Sequence, residues 1–476
     1  MGNNSYDPQK DRRFRFRFVE RRVLLLNGDI LAEALALLGA VVIWGNQAQP
    51  QGFTFSFILN RVPGWFYLLP LAWFFLIIEL YDIRKASSWN RTLQGVLTAA
   101  LIGSILYLGL YFTSPPESLP RTGVAVFIIG SVIFTLLWRL FYIRVLTSEI
   151  FLPRVLLVGG GVSGRLLLRA FEKIEPKPYF IIGIIDDDPA KLGQEIDGYR
   201  VIGSGPDLLD VIEKEKISDI IVAITGVIRG GTFQALLDAQ EQGVEITRMP
   251  VAYEDLTQTV PIRILEADWI LRSFVDDTST SGIYHIAKRI MDLIGGLIGV
   301  GIFLLLLPPV GLLIFLDDGF PILYRQERLG QSAKPYKIIK FRTMVKNAEK
   351  NGQAQWASED DRRVTRIGRF LRKTHLDEFP QFINVLKGEM SLVGPRSERP
   401  SLVDKLQKEV PFYRARLIAK PGVTGWAQIN YGYPETVEET IDKLEYDLFY
   451  IKNRTILLDL RIILGTPATI FGLKGK

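Results

Sequence analysis

The strongest constraint on how this 476-residue chain can fold is its set of five long apolar stretches. A run near the ~20 apolar residues that a bilayer demands reads as a membrane helix. Four such runs precede position 155, at roughly 25–45, 64–80, 92–112 and 123–146. Basic residues punctuate them unevenly. Lys10, Arg12, Arg13, Arg15, Arg17, Arg21 and Arg22 precede the first run. Arg84, Lys85 and Arg91 separate the second from the third, and Arg139, Arg144 and Arg154 close the fourth. The other two connections hold only Arg61 and Arg121. Positive residues stay on the cytoplasmic side, so both ends of a four-helix transmembrane bundle, residues 1–150, are expected in the cytoplasm. The charged leading segment continues into the bundle and does not read as a cleaved signal peptide. Asp29 and Glu33 fall inside the first run, and the sequence places them near the inner interface, within reach of the basic arm.

Composition removes several chemistries. The chain has no cysteine and two histidines, His285 and His375. Disulfides, thiolate metal sites and cysteine nucleophiles are excluded, and clustered histidine ligation is too. Acid, base and nucleophilic work falls to carboxylates, with Lys and Arg beside them. A net charge of +6 in an apolar chain suits anionic headgroups or phosphorylated substrates and does not argue for nucleic acid.

Residues 151–250 change pattern to short β-rich runs alternating with amphipathic stretches, the signature of βαβ units around a parallel sheet. Arg154 to Val158 reads as a strand, and Gly159, Gly160, Gly161 and Gly164 open a helix to Lys173. A second strand, Phe180 to Ile185, ends at Asp186, with later strands at Ser218–Ile224 and Val244–Met249. A glycine loop after a strand, followed by a helix and an acidic residue, is the dinucleotide fingerprint of a Rossmann-like α/β domain. Gly159, Gly161, Gly164 and Asp186 are therefore candidate cofactor-binding positions. The favoured reading is a domain that keeps the nucleotide-binding shape without turnover, in a regulatory or structural role, and its ligand stays open.

Residues 251–282 read as a linker, ending in the polar cluster Asp276 to Ser281. The fifth apolar stretch, Met291 to Leu316, is long enough to span. Its flanks oppose spanning. Lys288 and Arg289 precede it, and Arg325, Arg328, Lys334, Lys337 and Lys340 follow, so both sides belong with the cytoplasm. Pro308 and Pro309 suggest a helix that enters, breaks and returns, a re-entrant membrane helix at the head of an α/β catalytic domain, residues 283–476.

That last block concentrates the chemistry. Tyr336 to Met344 alternates as a strand and puts Lys340 and Arg342 on one face. Arg366, Arg369, Arg372 and Lys373 lead into Asp377 and Glu378, and a loop-like run from Lys387 ends at Arg396. Adjacent carboxylates in a cationic field suit Mg²⁺ together with substrate phosphates. The cations are expected to bind phosphate oxygens and to lower the pKa of Asp377, keeping it ionised and nucleophilic. The combination reads as phosphoryl transfer, set against an ordinary solvated ion-paired helix face.

The run Lys340 to Met344, then Arg372 to Gln381, Val385 to Arg396 and Lys420 to Trp426 resembles the bacterial sugar transferases that act on polyprenyl phosphate, the monotopic phosphoglycosyl transferases. The whole layout is similar to the long members of that family, with four membrane helices and a Rossmann-like domain ahead of the catalytic part. The resemblance implies that Asp377 attacks the β-phosphate of a UDP-sugar, releases UMP and holds the sugar phosphate covalently until undecaprenyl phosphate takes it. This is the first membrane step of exopolysaccharide, capsule or O-antigen synthesis. It implies that Glu378 assists with Mg²⁺, that both carboxylates hold the metal, and that Lys340, Arg372 and Arg396 steady phosphates. Arg342 and Lys420 lie in the matching runs and join the candidate substrate-binding set. Asp447 and Asp459 fall on acidic family positions. The resemblance also implies a homodimer in the bacterial inner membrane. One departure is plain: many members carry a Gly-Arg pair after the tryptophan motif, whereas Gln428, Ile429 and Asn430 here lead to Tyr431, Gly432, Tyr433 and Pro434. Two other readings compete. An NAD(P)-dependent UDP-sugar-modifying membrane enzyme would need Tyr and Lys four apart on a helix, and one pair with that spacing, Tyr336 and Lys340, falls on a strand in a different domain from the glycine loop. A noncatalytic scaffold would have no use for the dyad and its cations.

Overall fold

The computed structural model describes residues 16, 18–48, 54–115, 119–264, 282–346, 348, 363–432 and 436–470. The basic residues from Lys10 to Arg17, the cluster Asp276 to Ser281, and Tyr433 with Pro434 lie outside the described residues. Two compact units divide the chain, Met1–Leu256 and Thr257–Lys476.

The first unit begins with the helical bundle. Helix α1 spans Phe18–Ala48, α2 Leu69–Leu76, α3 Trp89–Thr113 and α4 Arg121–Phe141. Three of the four expected segments are single helices long and apolar enough to cross a bilayer. The second is not. Gly64–Leu68 and Ile78–Tyr81 are 3-10 turns flanking α2, so the expected continuous helix over 64–80 is replaced by short pieces. Pro70 sits in the first turn of α2, where its missing N–H does no harm, and Ile77 leaves the helical region (φ −95°, ψ 11°). The broken end frees the Leu80 carbonyl, which accepts a 3.0 Å hydrogen bond from Arg139 Nη1.

Helices α1 and α4 pack most extensively, and the reason is written every four residues along both. Gly130 lies so close to Ala36 that a Cβ there would stand 3.3 Å from its Cα. On the same faces, Asp29 Oδ2 accepts from Arg139 Nη2 at 2.6 Å, with both side chains fully buried. Glu33 accepts from the Ser131 hydroxyl at 2.6 Å and the Thr135 hydroxyl at 3.2 Å. Among the described residues the partners of these carboxylates come from α4, and most of the basic arm expected within their reach lies outside the described residues. Arg21, the arm residue that is buried, donates instead to Tyr142 Oη (3.2 Å) and Ser87 Oγ (3.3 Å).

The α/β domain follows, with β1 (Arg154–Val158), α5 (Val162–Glu172), β2 (Phe180–Ile185), β3 (Glu195–Ile196), β4 (Tyr199–Gly203), α6 (Leu208–Glu215), β5 (Asp219–Val222), α7 (Gly230–Glu241), β6 (Glu245–Arg248) and α8 (Met249–Thr257). Its sheet runs β3-β4-β2-β1-β5-β6, parallel except for the β3–β4 hairpin at one edge. The sequence reading missed that hairpin, whose turn needs left-handed Asp197 and Gly198. The order reverses direction between β1 and β5, where doubly wound sheets place ligands.

The expected linker carries short ordered pieces. Helix α8 occupies its start, and Thr257 to Ile264 is woven into the second unit. Val260 and Ile262 are buried in the same core as Trp426, Leu448 and Ile451. The Trp426 indole donates to Gln258 O at 3.0 Å, and Val260 N donates to Glu445 O at 3.1 Å.

Helix α9, Gly282–Asp318, opens the rest of the second unit and runs through Pro308 and Pro309 as one element, so the expected break at Pro308 is absent. Each proline removes one N–H, and the ladder resumes beyond it. The helix lies along the polar part of its own unit. Cβ atoms on Gly295, Gly296 and Gly299 would meet Leu392, Leu386 and Phe382 at 2.5, 2.7 and 2.2 Å, so these glycines let the helix lie close against those side chains. Near the start of the helix, Asp292 Oδ1 accepts from Ser391 Oγ and Leu392 N, both at 2.9 Å. At its end, Asp317 Oδ2 accepts from Ile367 N at 3.0 Å. The other flank stays apolar and exposed, for example at Ile283, Ile290, Leu297, Leu305 and Leu316.

Beyond it come β7 (Leu323–Leu329), β8 (Pro335–Phe341), α10 (Arg366–Lys373), α11 (Phe382–Lys387), β9 (Ser391–Val393), α12 (Pro400–Glu409), β10 (Gly422–Thr424), α13 (Trp426–Asn430), α14 (Val437–Lys452) and α15 (Ile456–Ile470). Strands β7 and β8 form an antiparallel hairpin, and β9 pairs with β10 in parallel.

Candidate active site

Asp377 and Glu378 sit on a 3-10 turn, Leu376–Gln381, entered through His375 in the left-handed region at φ 54°. The turn is amphipathic. Leu376 and Phe379 pack toward Phe303, Phe341 and Leu371, and this sets the two carboxylates against the end of β8. Both acids are more than nine-tenths buried. Lys340 Nζ and Arg396 Nη2 each donate to Glu378 Oε1 at 2.7 Å. Burial alone would raise the Glu378 pKa, but Arg396 and Lys340 outweigh it and hold the carboxyl far below the usual range.

Asp377 behaves in the opposite way. Burial raises its pKa, the charge of Glu378 raises it further, and Lys340, Arg396 and Arg372 offset only part of that. The cations do lower the Asp377 pKa, as expected, but burial and Glu378 outweigh them, so the expected net lowering is corrected to a net rise. Lys340 and Arg396 bind Glu378 directly, and among charged groups Glu378 has the largest influence on the Asp377 pKa. Among the described residues no hydrogen bond to the Asp377 carboxylate is found.

The other candidates divide. Arg372 Nε donates to Thr343 Oγ1 at 3.0 Å, and its charge is felt at Asp377. Arg342 does not join the dyad. Strand β8 ends at Phe341, and the Arg342 guanidinium turns to the end of α9, donating to Asp318 O (2.9 Å) and Gly319 O (2.6 Å) and pairing with Asp318 Oδ2 at 3.2 Å. A cation at a helix C-terminus is a structural arrangement. Lys420 lies half-buried just before β10. The glycines around it set backbone contacts: a Cβ on Gly394 would stand 2.1 Å from Lys420 O, and one on Gly425 2.3 Å from Gly394 O. Asp447 Oδ2 accepts from Arg416 Nη2 at 2.8 Å, inside a buried ion cluster. Asp459, fully buried, accepts from Tyr450 Oη (2.7 Å), Lys288 Nζ (2.9 Å) and Tyr284 Oη (3.2 Å). It fastens the start of α9 to the catalytic core and is saturated by those partners.

Sequence reasoning missed several residues that shape the site. Asn384 is fully buried and imitates a neighbouring strand, accepting from Ile339 N (3.2 Å) and donating to Lys337 O (2.9 Å), which fixes β8 just before Lys340. Glu398 and Arg416 had no motif to mark them beyond the proximity of Glu398 to Arg396. The Tyr336–Lys340 pair stands on β8, as expected, with Lys340 engaged by the dyad.

In the α/β domain the glycine loop is closely packed. Gly159 takes φ +107°, and a Cβ on Gly164 would lie 2.2 Å from Gly159 O. Asp186 folds back onto the loop, accepting from Gly160 N at 2.8 Å and Lys191 Nζ at 2.9 Å. Gly161 caps α5 with open space before it.

Comparison with known proteins agrees with this arrangement. A family model described as bacterial sugar transferase matches residues 283–472, and one described as a CoA-binding domain matches residues 77–226. A UDP-glucose:undecaprenyl-phosphate glucose-1-phosphate transferase from Caulobacter vibrioides is 40% identical over 185 residues, covering 38% of this chain and 69% of that protein. This chain belongs to the bacterial sugar transferase family. A UDP-N-acetylgalactosamine-undecaprenyl-phosphate N-acetylgalactosaminephosphotransferase from Aeromonas hydrophila is 39% identical over 226 residues, 47% of this chain and 53% of that protein. A UDP-galactose-lipid carrier transferase from Erwinia amylovora is 28% identical over 425 residues, 84% of this chain and 85% of its own. The aligned part of this bacterial sugar transferase thus spans about half the length of the Aeromonas relative, and 41% of an Escherichia coli glucose-1-phosphate transferase. The match over 283–472 contains the dyad, Lys340, Arg372 and Arg396, so the site built from geometry lies inside the family segment.

Proposed function

We propose that this transferase moves a sugar 1-phosphate from a UDP-sugar to undecaprenyl phosphate and releases UMP. The observation that carries the reading is the Asp377 carboxylate, with no hydrogen bond among the described residues, beside a Glu378 held by Lys340 and Arg396. A carboxylate oxygen of Asp377 attacks the β-phosphorus, the bond from that phosphorus to the bridging oxygen breaks, and UMP departs with the electron pair. An acyl phosphate to the sugar remains on Asp377. A phosphate oxygen of the lipid then attacks the same phosphorus, and the Asp377 carboxylate leaves. Splitting the transfer in two lets one aligned site serve both displacements. Lys340, Arg396 and Arg372 are placed to stabilise charge on the phosphoryl oxygens. Glu378 orients Lys340 and Arg396.

The donor set fits Mg²⁺. Among the described residues no cluster of three or more metal-ligating side chains occurs, and the dyad offers two carboxylates, the number Mg²⁺ takes when phosphates and water complete its shell. Asp377 and Glu378 would hold the ion, which supplies charge neutralisation to the diphosphate. The reading is tested by incubating the purified protein with a panel of UDP-sugars, undecaprenyl phosphate and Mg²⁺. UMP release that stops when EDTA is added is expected, and no UMP from any common UDP-sugar would overturn the proposal.

The same reading places a homodimer in the bacterial inner membrane, with both termini and the soluble domains cytoplasmic. Arginines and lysines crowd the flanks expected inside. An even number of crossings requires Gly64–Tyr81 to cross in pieces, and its 3-10 turns, rising about 2.0 Å per residue, help so short a stretch approach the ~30 Å hydrocarbon thickness. For α9 the support is its docking: Asp292 and Asp317, near opposite ends, both bind the same polar unit. A helix crossing fully would put those ends on opposite aqueous faces; the docking of both to one unit supports entry and return on one side, which in an unbroken helix requires a bend, and Pro308 and Pro309 are where this helix would bend. The chain has no native cysteine, so single cysteines report cleanly. A cysteine placed after Lys476 should react with a membrane-impermeant reagent only once cells are opened; labelling on intact cells would refute this orientation.

A further inference from the structure

The segment Pro395–Glu398 carries Arg396 to the dyad without forming a helix or strand, yet each of its four carbonyls is held. Pro395 O accepts from Gly422 N at 3.0 Å and Glu398 O from Leu329 N at 3.1 Å. The two between them are taken by guanidinium groups: Arg416 Nη2 donates to Arg396 O at 2.9 Å, and Arg328 Nη1 to Ser397 O at 3.3 Å. Arg416 is 5% exposed and its fork is fully engaged, donating also to Tyr413 Oη at 2.7 Å and Asp447 Oδ2 at 2.8 Å. Glu398 closes the cluster, with Arg328 at 3.6 Å, Lys443 at 3.7 Å and Arg416 at 3.8 Å. A planar guanidinium can serve a carbonyl, a phenol and a carboxylate at once, whereas a lysine ammonium at the end of a flexible stem cannot match that geometry.

We propose that Arg416 is a positioning residue for the phosphate clamp: by gripping the Arg396 carbonyl it aims the Arg396 side chain at Glu378 and the transferring phosphate, and Asp447 acts through Arg416 without touching substrate. Arg328 performs the same task one residue along. The inference rests on the proposed function of the dyad, and the two fail separately. If the wild-type protein releases no UMP, the functional reading falls; if it does, the variants decide the positioning role.

The test is a set of double-mutant cycles on UMP release by the full-length protein. Arg416→Lys, Arg328→Lys and Asp447→Asn are each made in the wild-type and Arg396→Ala backgrounds, with thermal melts of every variant. In the wild-type background Arg416→Lys should lower kcat/KM about tenfold. In the Arg396→Ala background, where there is nothing left to aim, the same change should cost less than about twofold. Asp447→Asn should show the same loss of effect. A full additional loss in the Arg396→Ala background, from either substitution, means that the residue acts independently of Arg396 and overturns the proposal. Arg328 is more exposed and its substitution safer for folding. If Arg416→Lys fails to fold, additivity or its absence for Arg328→Lys settles whether the carbonyl grip positions Arg396.

Discussion

Replacing Asp377 with asparagine should abolish turnover, lowering UMP release by at least about a thousandfold, equivalent to ~4 kcal/mol of transition-state stabilisation. The substitution keeps the side chain's shape in a site where Asp377 is more than nine-tenths buried, so the loss reports chemistry and not collapse. The same mechanism makes a second demand. Without a lipid acceptor, the wild-type protein given a UDP-sugar should release one UMP per site in a burst, and the peptide containing Asp377 should gain the mass of a sugar phosphate. An Asp377→Asn protein that retains more than about a tenth of the activity would rule out the aspartyl intermediate, and a protein that turns over with lipid but shows neither a burst nor a mass shift without it would favour direct displacement.

The second large effect lies in the membrane bundle. Asp29 and Arg139 meet at 2.6 Å with both side chains fully buried. Arg139→Leu strands the carboxylate and also releases the Leu80 carbonyl, and Asp29→Leu strands the guanidinium. Each single change should destabilise the folded protein by about 3–5 kcal/mol, because a buried charge without its partner pays its full desolvation penalty. The double change Asp29→Leu with Arg139→Leu removes both charges and should recover most of the loss. Thermal unfolding of the full chain in detergent measures this. Single variants that melt with the wild type, or a double variant worse than both, would show that the pair does not hold α1 to α4.

Where one local period settles the structure, sequence sufficed. Strands β1 and β2 were legible to the residue, since β-branched runs bounded by glycine or aspartate admit one reading. The three long bundle helices were legible from apolar length. The middle piece was not, because Gly64–Tyr81 is apolar enough to be one helix while the freed Leu80 carbonyl is needed by Arg139, a residue 59 positions away. The dyad and its cations Lys340 and Arg396 were readable as a phosphoryl-transfer set. Their division of labour was not. Arg342 shares the strand period of Lys340, yet β8 ends between them and the guanidinium caps α9. Asp447 and Asp459 look alike as acids in helical runs, and each is bound to a different cluster that no spacing rule reveals.

The sequence by itself determined the kinds of parts in this protein: apolar helices, a glycine-loop α/β domain, and an Asp-Glu pair among basic residues with no cysteine in the chain. Those follow from composition and short-range periodicity, which act within a few residues of one another. Only the tertiary structure decided which charge serves which partner. Burial removes water as the universal ligand, so a buried charge takes whichever complementary group packing brings to it, from however far along the chain, and an acid left without one has its pKa pushed up. That is why Glu378 takes both cations while the Asp377 pKa rises, why Arg139 reaches back across the bundle to Asp29, and why Arg416 stands behind Arg396.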